Sequence, residues 1–235
     1  MAAITAAGLC LGVFAAIPTF SQAAVEHHSH LFVASGRPIE TQPSISPRPI
    51  LANFLGEPAS DDARQIADWV VYSGDNRGLP FVIVDKKDTK VFAFDGHGYL
   101  LGATPALLGL ARGDDSAPGI GDRELSDIRP EERTTAAGRF VSALGRNLRG
   151  QEVLWVDYDA ALTLHRVLAR NTKEARLQRL AAASPLPRRI TFGCINVPAS
   201  FFDGVVHPAF TGTNGVVYIL PEIKSIREVF FTSIS

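Results

Sequence analysis

Apolar positions between residues 60 and 221 recur with two different periods. Ile66, Trp69, Val70 and Ser73 trace one face of a 3.6-residue repeat. Ser60 precedes them as an N-cap, with Asp61 and Asp62 in the first turn, so a short helix is predicted, ended by the stretch from Gly74 to Pro80. Phe81-Val82-Ile83-Val84 and Val91-Phe92-Ala93-Phe94 are short runs of β-formers on either side of Asp85 to Asp88, which is the pattern of a hairpin. The β pattern resumes from Tyr99 to Ala103 after Asp95-Gly96, and His97 falls in that turn, where it is expected to be exposed.

The stretch from Arg112 to Gly138 is rich in Gly, Asp, Arg and Pro and too long for an ordinary connection, so it reads as a functional loop. Two strands follow, Val153 to Asp157 and Ala161 to Val167, with His165 inside the second and Asp157 and Asp159 assigned to the turn between them. Asn171 through Ala183 predicts a helix with Leu177 and Leu180 turned inward, stopped by Pro185 and Pro187. A short strand is predicted over Ile190 to Phe192, with Gly193-Cys194 turning out of it. A helix is predicted from Val197 to Val206 with His207 at its end, and a last strand from Gly215 to Leu220. The fold class is therefore mainly β with a few helices packed around the strands.

The first 24 residues differ in kind. Met1 to Ala24 holds no charged side chain, and the run Ala6 to Ile17 is apolar but too short to span a bilayer. Ser21-Gln22-Ala23 resembles a small-x-small cleavage site, so residues 1–24 read as a secretory signal peptide whose positive charge comes from the amino terminus alone. Export to the periplasm or cell envelope is expected. Residues 25–58 carry five prolines among Ser, Gly and Thr and read as a linker or N-terminal arm. The cluster His27, His28 and His30 lies there, with no thiol close in sequence, and no metal site is assigned to it or elsewhere. Residues 59–222 form the expected catalytic domain and 223–235 a C-terminal tail.

Across 235 residues, 46% hydrophobic content supports one sizeable core, and 23 basic against 24 acidic residues leave no field to attract nucleic acid. The cysteine count sharpens this picture. Cys10 lies in the expected signal peptide, so cleavage leaves Cys194 alone, without an intramolecular disulfide partner. A lone thiol in an oxidising compartment is either buried or used as a nucleophile.

Its surroundings favour use. In Thr191-Phe192-Gly193-Cys194-Ile195-Asn196-Val197-Pro198, a strand delivers Gly193, whose missing Cβ permits a tight turn, and the thiol follows. A helix beginning near Val197 would bring N–H groups and dipole toward the sulfur. The backbone N–H groups of Gly193 and Cys194 are candidate oxyanion donors, and Asn196 is suited to pinning the turn.

These residues resemble the L,D-transpeptidase catalytic domain, whose motif is a His, a variable stretch, then Ser or Thr, His, Gly, Cys, a hydrophobic residue, and Asn or Arg. Thr191, Gly193, Cys194, Ile195 and Asn196 stand at their motif positions, and His165 fits the upstream histidine. Thr135-Ala136-Ala137-Gly138-Arg139-Phe140 is similar to the family's Thr-Pro-x-Gly-x-Phe segment, with Ala136 where Pro is usual. Phe192 stands where a histidine commonly precedes Gly-Cys. The 29 positions from His165 to Cys194 exceed the usual gap, which the helix expected over 171–183 accounts for.

The resemblance implies a β-sandwich or barrel with helices around it, and an exported cysteine acyltransferase acting on peptidoglycan stem peptides without a cofactor. Cys194 would attack a peptide carbonyl to give a thioester, with His165 as base. The acyl group would pass to an amine, forming a cross-link, or to water, as in an L,D-carboxypeptidase. Arg188 and Arg189 are candidates to recognise a stem carboxylate, or else a solvated pair before a strand, and Phe192 is a candidate substrate contact. A monomer is expected. The alternatives are a non-catalytic member that binds cell-wall peptides, and a redox-active thiol protein, disfavoured because no resolving cysteine survives processing.

Overall fold

The computed structural model describes residues 51–168 and 174–231. The expected signal peptide, most of the expected arm with its histidine cluster, and the first part of the helix expected over 171–183 lie outside the described residues.

In chain order the strands are β1 (Phe81–Asp85), β2 (Lys90–Phe94), β3 (Leu100–Pro105), β4 (Leu108–Gly109), β5 (Gly138–Arg146), β6 (Glu152–Asp157), β7 (Leu162–Arg166), β8 (Arg189–Thr191), β9 (Ile195–Val197) and β10 (Gly215–Ile219). Eight of them form one mixed sheet in the order β3-β2-β1-β10-β5-β6-β7-β9, and β4 pairs with β8. The β1–β2 hairpin and the antiparallel β2–β3 pair follow the predicted pattern. β10 runs parallel to β1 and antiparallel to β5, and β9 runs parallel to β7. Leu107 and Asn196 exchange backbone hydrogen bonds of 2.8 and 2.9 Å, which link the small pair to the end of the large sheet.

The apolar runs of β1, β2 and β10 are continuous because both faces of this part of the sheet are buried. On one face, Phe81, Ile83, Phe92, Phe94, Val216 and Tyr218 meet helix α1 (Asp61–Ser73), which contributes Ala63, Ile66, Ala67 and Val70. Ser60 caps this helix by accepting the Ala63 N–H at 3.1 Å, and Gly74 ends it in the left-handed conformation. On the other face, Val82, Val84, Val91, Ala93, Val217 and Ile219 share one cluster with Leu154, Val156, Leu162, Leu164, Ile195 and Val197. The sheet therefore curls, bringing β6, β7 and β9 over β1, β2 and β10. Each fully buried Val, Ile or Phe side chain contributes on the order of 2 kcal/mol, so this shared core fixes where β7 and β9 lie.

The mainly β architecture agrees with the sequence reading, while several elements differ. β5 is absent from the sequence-based prediction, because its residues alternate with Gly and Ser and its burial is mixed. Ile195 to Val197 form a strand where a helix was expected: the β-branched pair flanks Asn196 with period two, and helix begins only after Pro198, at α3 (Ala199–Phe201). A π-helical segment follows from Phe202 to Val206. His207 opens the next helix, α4 (His207–Phe210), instead of closing one. Within the helix expected over 171–183, the described helix α2 runs over Arg176–Ala181. Leu180 is buried there, whereas Leu177 is exposed. A short helix over Ile226–Phe230, α5, follows a capping box made by Ser225 and Glu228.

One buried ionic cluster ties the long loop to the ends of β1, β8 and β10. Lys86, fully buried, donates to Asp114 at 2.7 Å and to the carbonyls of Gly113 and Thr135. Asp114 also accepts the backbone N–H groups of Glu222, Ile223 and Lys224. Arg189 pairs with Glu222.

Candidate active site

β7 turns Leu162 and Leu164 into the core, so Thr163 and His165 lie on its opposite face. β9 does the same with Ile195 and Val197, leaving Asn196 as the register partner of His165. Cys194 stands one residue before β9, and the Thr163 hydroxyl donates to its Sγ at 3.4 Å. Sulfur, imidazole and carboxamide thus share the face of two adjacent parallel strands.

The turn that presents the thiol is built from hydrogen bonds to a buried hydroxyl. Thr191 Oγ1 donates to the Cys194 carbonyl at 2.7 Å and accepts the Gly193 N–H at 3.2 Å. Gly193 has φ +131°, and a Cβ there would lie 2.8 Å from the Thr134 carbonyl oxygen, so no other residue fits without displacing backbone. Its own carbonyl accepts from Thr135 Oγ1 at 2.7 Å. Because the Gly193 N–H is bonded to Thr191, it is not the free oxyanion donor that the sequence led us to expect.

His165 is half-buried, and both ring nitrogens have partners. Nδ1 donates to the Arg166 carbonyl at 2.8 Å, and Nε2 lies 3.0 Å from the Asn196 amide nitrogen. Asn196 therefore holds the imidazole, where the sequence reading had it pinning the turn. Burial pushes the thiol up and the imidazole down, but the charged form of each favours the charged form of the other strongly enough to reverse this. Cys194 is held below the ordinary thiol range, with help from Thr163, and His165 above the ordinary imidazole range. The expected helix dipole has no part in this, since the residues after Cys194 are a strand.

The thiol and imidazole open onto a cavity of about 370 Å³. Its walls include Trp155, Leu148, Leu168 and Phe192, with Arg149 and Arg176 as cations. Phe192 also stacks under the Arg133 guanidinium, 4.0 Å from the ring centroid. Arg188 and Arg189 do not line this cavity. Arg188 is buried and donates to the Asp88 and Ala182 carbonyls and to Thr89. Arg189 does bind a carboxylate, but that of Glu222. The arginines that do line it are Arg149 and Arg176.

Sequence reasoning missed Thr163 and Arg176. Thr163 was within reach of it, since period two along β7 puts residues 163 and 165 on one face. Arg176 comes from the segment that lengthens the His–Cys gap, and nothing local marks it.

No protein-family model matches the chain, and no curated protein matches it in sequence. Among solved structures, the chain is similar to the L,D-transpeptidase LdtMt1 in complex with imipenem, at 13% identity and a TM-score of 0.37 over 60% of this chain and 59% of that one. It is similar to the helical cell shape determining protein Pgp2 from Campylobacter jejuni, at 16% identity and 0.40 over 63% and 49%. It is also similar to the catalytic domain of the E. faecium L,D-transpeptidase, at 14% identity and 0.35 over 61% and 98%. The chain thus covers about half to three fifths of the length of the first two.

Proposed function

We propose that this chain is an exported cysteine acyltransferase acting on peptidoglycan stem peptides, with Cys194 as nucleophile and His165 as base. The observation that carries the reading is that Cys194 and His165 stand on one face of adjacent strands and open together onto a single cavity. The ring is oriented through Nδ1, and the thiol and imidazole shift each other toward the ion pair against the effect of burial. The sequence motif around Cys194 supplies the substrate class.

In the reaction, Nε2 of His165 takes the thiol proton as sulfur attacks the carbonyl carbon preceding a terminal D-residue. The C–S bond forms, the C–N bond breaks, and the leaving amine receives the proton from His165. With Gly193 engaged, the Cys194 N–H is the remaining backbone candidate to meet the oxyanion. In the second half, His165 accepts a proton from the incoming amine or water as it attacks the thioester, and the thiol is regained. The apolar walls of the cavity accommodate the peptide, and Arg149 at the rim offers a cation to its carboxylate.

The test is intact mass spectrometry of the protein incubated with a tetrapeptide muropeptide or a carbapenem. An adduct on Cys194 is expected, absent in Cys194→Ala and formed about 10²–10⁴-fold more slowly in His165→Ala. Product analysis with and without an acceptor amine assigns transpeptidase or carboxypeptidase activity. Binding of stem peptide without any adduct would instead identify a non-catalytic cell-wall binder.

A further inference from the structure

Asn196 lies between groups whose hydrogen-bonding roles are fixed. Arg176 Nη1 donates to its Oδ1 at 2.6 Å, and a guanidinium can only donate. The NH₂ end of the amide therefore faces His165 Nε2, at 3.0 Å, and finds a lone pair there only while that nitrogen carries no proton. Across the ring, Nδ1 meets the Arg166 carbonyl, which can only accept, so the proton sits on Nδ1. Guanidinium, carboxamide, imidazole and carbonyl all agree on one neutral tautomer.

We infer that Arg176 is a positioning residue which, acting through Asn196, biases His165 toward its neutral Nδ1-protonated form and so restrains thiolate formation at Cys194. The inference rests on the proposed function, in which this imidazole serves that thiol. Protonating Nε2 would set N–H against N–H. Turning the carboxamide over would offer Oδ1 to the imidazolium but present NH₂ to a guanidinium that cannot accept. One hydrogen bond is lost either way, and the Arg176 charge opposes the imidazolium in the same sense.

The other charged groups around the ring are accounted for. Cys194 favours the imidazolium. Glu152 of β6 and Asp203 of the π-helical segment are both paired with Arg166, and Glu174 is paired with Arg176. Arg149 stands at the cavity rim. Arg176 thus acts as a brake on an otherwise self-reinforcing ion pair.

The experiment is the pH dependence of Cys194 alkylation by iodoacetamide, followed by intact mass in the full chain and its variants. In Arg176→Met the midpoint is expected to fall by about one pH unit, the size of shift a neighbouring charge and its hydrogen bond commonly give. Arg176→Lys, which keeps a charged donor, should restore most of the wild-type midpoint. Asn196→Asp should lower it as well, because a carboxylate accepts from both arginine and imidazolium. A midpoint in Arg176→Met at or above wild type overturns the inference. If that variant does not fold, the same result in Asn196→Asp overturns it. In either case a normally alkylated wild-type thiol leaves the proposed function standing, whereas a wild-type Cys194 that resists alkylation at every pH removes both.

Discussion

His165 and Asn196 face each other as register partners on two parallel strands, 31 positions apart in sequence, with the imidazole Nε2 3.0 Å from the carboxamide nitrogen. Two residues earlier in each case, just before β9 and on β7, Cys194 and Thr163 are likewise in contact. A single strand register therefore assembles four polar side chains, and a slip of one residue would bury them and expose the leucines.

The coupling of thiol and imidazole sets a pH expectation. With His165 present, the thiol lies below its ordinary value, so alkylation of Cys194 should reach half its maximal rate at a lower pH than that of a free cysteine. In His165→Ala only the opposing effect of burial and the Thr163 donor remain, and the midpoint should rise. A midpoint that stays put in the variant would show that the two side chains do not communicate.

Thr163 donates its hydroxyl to sulfur and thereby favours the thiolate. Thr163→Val keeps the shape and removes the donor. Alkylation at fixed neutral pH should slow by about tenfold, the equivalent of one hydrogen bond to a charged acceptor, with thermal stability little changed. Equal rates in the two proteins would contradict this role.

Thr191 and Gly193 make the turn, so their substitutions should register as stability changes first. Thr191→Val leaves a buried carbonyl and a buried N–H without their partner, and a loss of about 1–3 kcal/mol is expected in urea unfolding. Gly193→Ala adds a Cβ against the Thr134 carbonyl at positive φ and should cost about as much or more. Gly204→Ala, in the π-helical segment, meets open space and should be close to neutral. Comparable losses at positions 193 and 204 would speak against the steric account.

The buried cluster predicts acid sensitivity. Although burial alone would raise it, Asp114 is held down to about 2 by Lys86 and by three backbone N–H donors. Its folded-state value lies below the unfolded one, so its contribution is complete above the unfolded carboxylate range and is lost as pH falls from about 4 toward 2. Asp114→Asn removes the carboxylate nearest the buried Lys86 ammonium, leaving it Glu222 at 3.8 Å and two carbonyls, and should destabilise the fold by about 1–3 kcal/mol at neutral pH, measured by urea titration. A variant as stable as wild type would mean the cluster is not a structural anchor.

The strands with strong apolar runs were legible because local pattern and tertiary burial agree there, as in Phe81 to Val84 and Gly215 to Leu220. β5 was not, since Gly138, Ser142 and Gly145 dilute a pattern that only its neighbours β10 and β6 complete. The short segment Ile195 to Val197 was misread because three residues carry too little periodicity to separate strand from helix. Cys194 and His165 stood out through the motif and their setting. The arginines did not sort themselves, because whether a guanidinium meets a ligand or an internal carbonyl depends on contacts a hundred positions away, as between Arg188 and Asp88.

β10 is among the last strands made, yet it occupies the middle of the sheet, between β1 and β5. A polypeptide emerging amino end first must therefore hold its earlier hairpin and meander apart, with unpaired edges, until residues 215–219 arrive to join them. The strand entering the reactive turn waits longer still, because Arg189 finds its carboxylate only at Glu222. Completion of the turn around the thiol is thus deferred by topology until residue 222 has been made, and a chain cut short before it would carry the cysteine without the scaffold that holds it.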